Sequence, residues 1–366
     1  MKRARVGVIG AGNISDQYLT NLSRYPDVEL VAIADANPAA AAAQAARYGI
    51  ARHGRSEVVL DDPTIGFVVN LTVPVAHAEV TEAALRAGKH VWSEKPLAMD
   101  RESGRALLDL AAELGLRIGC APDTVLCPGV QGSLAALREL EATGSPAFRA
   151  RMLFQYHGPD TWHPNPEFLF KPGAGPLMDY GPYYLTDAVL ALGTVSRVVG
   201  SIGVAPRGVR QVETGPLAGT EFTVEVPTTV VALLQHVGGA VTDITFSFDA
   251  NTLHEEVEFL TPQASVVATD PNIQGGTVRV MKRNRPVAER VTDDPVWGRG
   301  VGLVDLIRSI DAGVPHRASG DLAYHVLDVM LSIAESAASG TSVDVASAAP
   351  VVPLIPEGWR PDLPLG

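Results

Sequence analysis

A glycine-rich turn between an apolar run and a helical pattern constrains the fold of this chain more than any other feature. Residues 5–9 form the apolar run, and Gly10, Gly12 and Ser15 follow it in the pattern Gly-x-Gly-x-x-Ser. Further short apolar runs alternate with helical patterns, at residues 30–34, 66–71, 90–92 and 117–120. Strands and helices that alternate at this spacing predict βαβ units with right-handed crossovers. The sequence therefore predicts an α/β Rossmann domain with a doubly wound parallel sheet over residues 1–123.

The pattern changes after residue 123. Helical stretches lead into segments in which polar and apolar residues alternate, and two more helical segments follow. The alternating segments lie at residues 222–226, 230–236, 241–248 and 257–260. Alternation with a period of two predicts half-buried antiparallel strands. Residues 124–366 are therefore predicted to form an α+β domain that ends in a proline-rich C-terminal tail.

The composition limits the partners and the compartment. The 29 Lys and Arg residues are scattered and outnumbered by 41 Asp and Glu, which gives a net charge of −12 and argues against nucleic-acid binding. Cys120 and Cys127 are too few for a disulfide framework. Glycines interrupt the apolar stretch behind the basic start of the chain, and no apolar run is long enough to span a membrane. We therefore expect a cytoplasmic protein without nucleic-acid or membrane partners.

The glycine-rich turn has the context of a dinucleotide site. Gly10 would permit the tight turn, Gly12 would let the backbone approach a pyrophosphate, and the helix N-terminus at Asn13 and Ile14 would favour its negative charge. Asp35 follows Gly10 by 25 residues, near the spacing at which a carboxylate binds the ribose hydroxyls. The alternative is that Asp35 only caps the next helix.

The same aspartate indicates which nicotinamide cofactor is bound. Asp35 would repel a 2′-phosphate, and the neighbouring Ala36 and Asn37 offer no cation to attract one. We therefore expect NAD rather than NADP as the cofactor.

Polar residues follow two more of the predicted strands. Thr72, Pro74 and His77 come after the third strand, and Glu94 and Lys95 come after the fourth. Doubly wound sheets bind ligands at the carboxyl ends of their strands, so we expect these residues to line the cofactor cleft. Partial desolvation there would lower the pKa of Lys95, which could then exchange a proton with a substrate hydroxyl. The alternative is an exposed lysine that forms an ion pair near Glu94.

Three motifs together resemble the Gfo/Idh/MocA oxidoreductase family, which includes glucose–fructose oxidoreductase and inositol dehydrogenase. They are Gly-x-Gly-x-x-Ser at residues 10–15, Thr-x-Pro-x-x-His at 72–77, and Ala-Gly-Lys-His-Val…Glu-Lys-Pro at 87–96. The similarity resumes at residues 173–183 and 317–325. The resemblance implies an α+β second domain with a large, mostly antiparallel open sheet that serves substrate binding and oligomer contacts. It therefore implies a homo-oligomer, as a dimer or a tetramer.

The resemblance also implies roles for individual residues. Lys95 matches the family lysine that binds substrate and assists proton transfer, and Asp179 matches an aspartate that holds substrate hydroxyls. The family's histidine four residues later is replaced by Tyr183, and Asp187 continues the same helix face one turn on. A phenol donates and accepts hydrogen bonds but is a poor base at neutral pH. Tyr183 would therefore assist Lys95, position the substrate, or only pack in the core.

A loop at residues 157–164 carries His157, Asp160, Trp162 and His163 among prolines and a glycine. Two histidines and a carboxylate can bind a metal ion, but a loop with this many prolines offers no defined ligand geometry, so no metal site is predicted. Trp162 and His163 are instead predicted to form a wall of the substrate site, because an aromatic face suits the C–H face of a sugar ring.

These residues predict an NAD-dependent dehydrogenase of a sugar, an inositol or a related polyol. Lys95, helped by Asp179 and Tyr183, would take the hydroxyl proton while NAD accepts the hydride, and the reverse reduction of a keto group is equally allowed. One alternative is a glycosidase or lyase that uses NAD for a transient oxidation. Another is a non-catalytic NAD-binding regulator, which the replacement at Tyr183 leaves open. The sequence does not specify the sugar, the hydroxyl that is oxidised or the oligomer size.

Overall fold

The computed structural model describes residues 3–203 and 205–364, which divide into two compact units. Unit 1 comprises the described residues of 1–131, 293–327 and 352–366, and unit 2 comprises those of 132–292 and 328–351. The sequence pattern predicts one boundary, after residue 123. In the structure the chain instead returns to unit 1 twice after first leaving it.

The described residues form seventeen strands and nine α-helices. The strands are β1 (Ala4–Ile9), β2 (Val28–Ala34), β3 (Arg52–Gly54), β4 (Phe67–Asn70), β5 (His90–Ser93), β6 (Ile118–Cys120), β7 (Arg149–Gln155), β8 (Val195–Gly203), β9 (Val209–Gln211), β10 (Glu221–Thr223), β11 (Thr229–His236), β12 (Val241–Ser247), β13 (His254–Leu260), β14 (Ser265–Val267), β15 (Thr277–Lys282), β16 (Arg285–Val291) and β17 (Val343–Asp344). The α-helices are α1 (Ser15–Leu22), α2 (Pro38–Tyr48), α3 (Glu57–Leu60), α4 (His77–Arg86), α5 (Arg101–Glu113), α6 (Pro128–Ala142), α7 (Pro176–Leu192), α8 (Val301–Asp311) and α9 (Gly320–Ser339). None of these helices is both long and apolar enough to cross a membrane.

Unit 1 is built on a six-stranded parallel sheet with the strand order β3-β2-β1-β4-β5-β6. Apolar side chains of its central strands, such as Val8, Ile33 and Val69, are completely buried because helices connect each strand to the next. The order reverses between β1 and β4, and sheets of this kind bind ligands at such a switch point. The predicted Rossmann domain is confirmed. The pattern missed β3, because its three residues are largely exposed and form no apolar run.

Unit 2 is built on a nine-stranded sheet with the order β16-β15-β14-β13-β7-β12-β11-β8-β17. Only the pair of β7 and β12 is parallel among its described strands, so the sheet is mostly antiparallel, as predicted. Helix α7 packs on β7, β11 and β12. The sequence pattern missed β16, because every residue of that strand is exposed and no apolar face marks it.

The proline-rich C-terminal stretch belongs to unit 1 from Val352 onward, and two arginines of unit 1 bind it. Arg308 of α8 donates to a carboxylate oxygen of Asp27 at 2.7 Å and to the carbonyl oxygen of Arg360 at 2.8 Å. Its guanidinium also lies 4.7 Å from the ring centre of Trp359. Arg317 donates to the carbonyl oxygen of Pro353 at 3.3 Å. The predicted tail is thus held by specific hydrogen bonds of unit 1.

Candidate functional site

The glycine-rich turn lies between β1 and α1, and its two glycines, Gly10 and Gly12, serve different structural purposes. Gly10 has a φ of +109°, and a Cβ at this position would collide with the backbone of Leu71, after β4. Gly12 is exposed, and a Cβ there would meet no atom within 4 Å. The fold therefore requires glycine at position 10, whereas the space at Gly12 is open to a ligand. Asn13 is exposed and Ile14 is half-buried at the start of α1.

Asp35 ties this turn to the end of β2. Its carboxylate accepts hydrogen bonds from the backbone N–H of Ala11 and from that of Asn37, each at 2.7 Å. The cap of α2 is a different residue, because the side chain of Asn37 accepts from the N–H of Ala39. Each carboxylate oxygen has further acceptor capacity, so Asp35 can hold the turn and accept ribose hydroxyls at the same time.

Glu94 and Lys95 follow β5 in a turn that internal hydrogen bonds fix. The carboxylate of Glu94, which is 8% exposed, accepts from the hydroxyl of Tyr18 at 2.7 Å and from the backbone N–H of Lys95 at 3.0 Å. Tyr18 belongs to α1, and its oxygen accepts from the indole N–H of Trp92 at 3.3 Å. Burial and then the charge of Glu94 raise the pKa of Tyr18, which keeps it a hydrogen-bond donor. Glu94 thus orients the backbone of the half-buried Lys95.

His77 holds the other side of this turn. Its buried ring places Nδ1 at 2.7 Å from the carbonyl oxygen of Pro96 and Nε2 at 2.9 Å from the carbonyl oxygen of Thr72. The peptide bond between Lys95 and Pro96 is cis. Because both ring nitrogens face backbone oxygens, His77 links the loops after β4 and β5. The ring of His77 thus supports the two loops that are expected to line the cofactor cleft, and its contact with the cofactor stays a prediction.

Asn70, at the end of β4, is a supporting residue that the sequence pattern missed. Its amide nitrogen donates to the carbonyl of His77 at 3.0 Å and to the hydroxyl of Thr81 at 3.1 Å. Its oxygen accepts from the backbone N–H of Thr72 at 3.2 Å and from the hydroxyl of Thr72 at 2.7 Å. The side chain of Thr72 is therefore oriented by the strand end. Pro74, which is half-buried, then begins a 3₁₀ turn that leads into α4.

The residues of unit 1 fit a dinucleotide. The open space at Gly12 and the N-terminus of α1 suit a pyrophosphate, because the helix end carries a partial positive charge. Asp35 stands at the end of β2 with capacity for ribose hydroxyls. Thr72 and Lys95 follow β4 and β5, the two strands next to β1 on the other side of the switch point.

Asp179 and Tyr183 lie one turn apart on α7 in unit 2, as their spacing predicts. Asp179 is half-buried, and Tyr183 is 6% exposed. Asp187 follows after one more turn, and neither of its carboxylate oxygens has a hydrogen-bond partner among the described residues. Burial raises the pKa of Asp187 to about 7. The same helix face thus carries a half-buried carboxylate, a buried phenol and a fully buried carboxylate.

The loop that carries Trp162 and His163 is built around the buried guanidinium of Arg210. Arg210 donates to a carboxylate oxygen of Asp160 at 2.6 Å and to the carbonyl oxygen of His157 at 2.8 Å. The ring of His157 accepts instead from Arg207 at 2.8 Å. The side chains of His157 and Asp160 are thus bound by two arginines that no local sequence pattern had singled out.

A chain of side-chain contacts connects this loop with α7. Trp162 is 54% exposed, and its indole N–H donates to the hydroxyl of Tyr156 at 3.4 Å. Tyr156 is in turn hydrogen-bonded to Tyr180, the neighbour of Asp179. Burial lowers the pKa of His163, and the negative charge of Asp179 opposes this effect. The structure therefore brings Trp162, His163 and Asp179 together within unit 2.

Two family models match this chain. The first is described as the oxidoreductase family with an NAD-binding Rossmann fold, and it matches residues 4–121. The second is described as the GFO/IDH/MocA C-terminal domain, and it matches residues 144–269. The two matches together cover most of the chain, and the first spans every strand of the six-stranded sheet while the second spans β7 to β14.

Curated relatives include a reductase and a dehydrogenase that are named for sugar derivatives. The dTDP-3,4-didehydro-2,6-dideoxy-alpha-D-glucose 3-reductase of Streptomyces violaceoruber is 31% identical over 204 residues, which are 55% of this chain and 58% of that protein. The D-glucoside 3-dehydrogenase of Escherichia coli (strain K12) is 32% identical over 210 residues, which are 52% of this chain and 54% of that protein. The matches thus span little more than half the length of either relative.

A solved structure of levoglucosan dehydrogenase, in complex with NADH and L-sorbose, shares the fold along nearly the whole chain. The TM-score is 0.78 at 22% sequence identity, and the superposition covers 95% of this chain and 100% of the other. The arrangement of a parallel sheet followed by a large, mostly antiparallel sheet is therefore the same in both proteins.

Proposed function

Since this chain belongs to the Gfo/Idh/MocA oxidoreductase family, we propose that it is an NAD-dependent dehydrogenase of a sugar, an inositol or a related polyol. The reaction is the oxidation of a carbinol carbon or the reverse reduction of the keto group. The names of the curated relatives support this class of substrate, because they describe a reductase and a dehydrogenase of hexose derivatives.

NAD is the cofactor that the residues of unit 1 favour. The space at Gly12 accommodates a pyrophosphate against the start of α1, and Asp35 accepts ribose hydroxyls. The bound cofactor supplies the hydride acceptor of the reaction. Asp35 would also repel a 2′-phosphate, and the exposed Ala36 and Asn37 bring no cation. The dissociation constants of NADH and NADPH test this preference, and equal or tighter binding of NADPH would contradict it.

Lys95 is the proposed acid–base group. Its backbone N–H binds Glu94, and the carbonyl of the next residue, Pro96, binds His77. A backbone held on both sides restricts where the ammonium group can go, and acid–base catalysis needs such positioning. Asp179 is proposed to accept hydrogen bonds from substrate hydroxyls. Tyr183 is proposed to position the substrate, because a phenol both donates and accepts hydrogen bonds but is a poor base at neutral pH.

The observation that carries this proposal is the fixed turn at Glu94 and Lys95. The test is a panel of sugars, inositols and methyl glycosides with NAD⁺, in which the absorbance of NADH is followed. A dehydrogenase forms one NADH for each molecule of keto product. Product without net NADH would instead favour a glycosidase or lyase that oxidises its substrate transiently. NAD binding without turnover of any compound would favour a regulator.

A further inference from the structure

We propose that His163 binds the polyol substrate as a fixed hydrogen-bond donor, through its Nε2–H, and does not replace the family's histidine as an acid–base group. The proposal rests on the proposed function for the class of ligand, a polyhydroxylated compound. It assigns to His163 a defined atom and a defined direction of hydrogen bonding. All the residues that support this role of His163 belong to unit 2.

The backbone segment on the N-terminal side of His163 is rigid. Gly158 has a φ of +118°, and a Cβ at this position would collide with the guanidinium of Arg210 and the carboxylate of Asp160. Arg210 is buried and also donates to a carboxylate oxygen of Asp249 at 2.6 Å, so it is anchored on both sides. The loop is therefore fastened to an ion-paired arginine that is itself fixed in the protein interior.

The segment between this anchor and His163 forms a tight turn. The backbone N–H of His163 donates to the carbonyl oxygen of Pro159 at 2.8 Å, and the hydroxyl of Thr161 donates to that of Gly158 at 2.7 Å. The His163 ring packs edge-to-face against two aromatic rings, with centroid distances of 5.4 Å to Trp162 and 5.4 Å to Phe168. The imidazole is thus held in place by its backbone and by its neighbours.

One backbone hydrogen bond decides the tautomer of this ring. The N–H of Asn165 donates to Nδ1 of His163 at 3.1 Å, so Nδ1 uses its lone pair and carries no proton. The neutral imidazole then carries its proton on Nε2. To act as a base through Nε2, the ring would have to move that proton to Nδ1, where it would face the N–H of Asn165. The same clash opposes the doubly protonated ring.

The surroundings of His163 suit a polyol. Burial has the largest effect on the pKa of His163 and lowers it, so burial favours the neutral donor form. Asp179 accepts hydrogen bonds when ionised, whereas His163 donates one, and two neighbouring hydroxyls of a substrate satisfy both groups. The exposed face of Trp162 provides an apolar surface for ring C–H groups.

Kinetics of two substitutions separate a donor from an acid–base group. His163→Ala removes the donor, and we expect KM to rise about tenfold, the equivalent of one hydrogen bond, with kcat changed less than about threefold. His163→Gln places an amide N–H near the position of Nε2, and we expect it to keep KM within about threefold of wild type and to leave the pH profile unchanged. His254→Gln, at an exposed histidine of β13, is the matched control. A loss of kcat of about a hundredfold or more in His163→Gln would overturn the proposal.

Nitrogen-15 NMR of the full chain labelled at histidine provides a readout that does not need turnover. We expect Nδ1 of His163 to appear as an unprotonated acceptor and Nε2 as protonated at pH 7.5, and myo-inositol or methyl glucoside with NADH present should shift the Nε2 signal. A shift without turnover would support His163 as the donor and contradict the proposed function. Turnover without a shift, or a proton on Nδ1, would overturn the assignment of His163 and leave the function intact. Neither a shift nor turnover would overturn both.

Discussion

The turn after β5 and the helix α7 each bury a carboxylate, but they surround it differently. Glu94 accepts hydrogen bonds from the hydroxyl of Tyr18 and from the backbone of Lys95. Asp187 has no hydrogen-bond partner for either oxygen among the described residues. Donors replace the water that a carboxylate loses on burial, whereas a carboxylate without donors is easier to bury as the neutral acid. The first arrangement therefore fixes the position of a neighbour, and the second makes stability depend on pH.

The strongest test of the first region is the residue that Glu94 positions. Lys95→Ala removes the proposed acid–base group, and we expect kcat to fall by about a thousandfold on the best substrate of the polyol panel. The dissociation constant of NADH, measured by fluorescence titration, should change far less than kcat, because Gly12 and Asp35 still hold the pyrophosphate and the ribose. A variant with near-normal kcat would show that the bonds around Glu94 do not serve catalysis.

The second region is tested by Asp187→Asn. Burial raises the pKa of Asp187 from 3.8 to about 7, so the folded state holds this proton more tightly than the unfolded state. The stability that this proton contributes is complete below about pH 4 and is lost as the pH rises to about 7. The difference corresponds to a free energy on the order of 4 kcal/mol. We expect Asp187→Asn to remove this loss.

The measurement is urea unfolding of wild type and variant between pH 4 and pH 8. The difference between the free energies of unfolding, Asp187→Asn minus wild type, should increase as the pH rises. This increase should level off above about pH 7. Asp311→Asn, at an exposed residue of α8, is the control. If the free energies of unfolding of Asp187→Asn and the wild type changed in parallel with pH, the burial of Asp187 would not make stability depend on pH, and the proposed difference from Glu94 would be wrong.

A smaller effect is expected from Glu94→Gln. Tyr18 and the backbone N–H of Lys95 donate to different oxygens of Glu94, and the amide replaces one of these oxygens by an NH2 group, so one buried donor loses its acceptor. We expect the free energy of unfolding to fall by about 1–3 kcal/mol and kcat to fall about tenfold. Tyr18→Phe keeps the carboxylate on Lys95, so it should lower stability but leave kcat within about threefold. Equal effects of both variants on kcat would contradict a specific link between Glu94 and Lys95.

The smallest effect concerns a third carboxylate, which is bonded like Glu94 but faces a ligand site. Asp35→Ser removes the acceptor of Ala11 and Asn37 and the charge that repels a 2′-phosphate. We expect the dissociation constant of NADH to rise about tenfold, which is about 1.4 kcal/mol, and the preference for NADH over NADPH to fall. Fluorescence titration with both cofactors measures the ratio. If the ratio of the dissociation constants of NADH and NADPH did not change, Asp35 would only hold the glycine-rich turn and would not select the cofactor.

The sheet of unit 1 and the glycine-rich turn could be predicted because the sequence patterns that indicate them are local. Short apolar runs, a Gly-x-Gly turn and an aspartate at a fixed distance are all visible within about 35 residues of sequence. The contacts that support the site are not local. Tyr18 and Glu94 are separated by 76 positions, and Arg210 and Asp160 by 50. No period or motif reports that two such residues meet, because the fold brings them together.

The sequence also did not predict how deeply the polar side chains of α7 are buried. The spacing places Asp179, Tyr183 and Asp187 on one helix face, but it does not say how deeply each one lies. Asp179 is half-buried and Asp187 is 1% exposed, so the same residue type has two different environments eight positions apart. The difference arises where α7 packs on β7, β11 and β12, and residue spacing does not report that packing. For the same reason β16, which has no buried face, could not be predicted from an apolar pattern.

The return of the chain to unit 1 has a consequence for protein synthesis. Asp27 leaves the ribosome early, but its partner Arg308 and the stretch around Arg360 emerge long after it. The strands of unit 2 are translated in between. We therefore expect unit 1 to mature after translation, and a nascent chain stalled before residue 352 should be cleaved by protease in its N-terminal segment faster than the released protein. A truncated chain that ends before residue 352 would keep the whole glycine-rich turn. Its unit 1 would still be incomplete, because the C-terminal stretch that Arg308 binds would be missing.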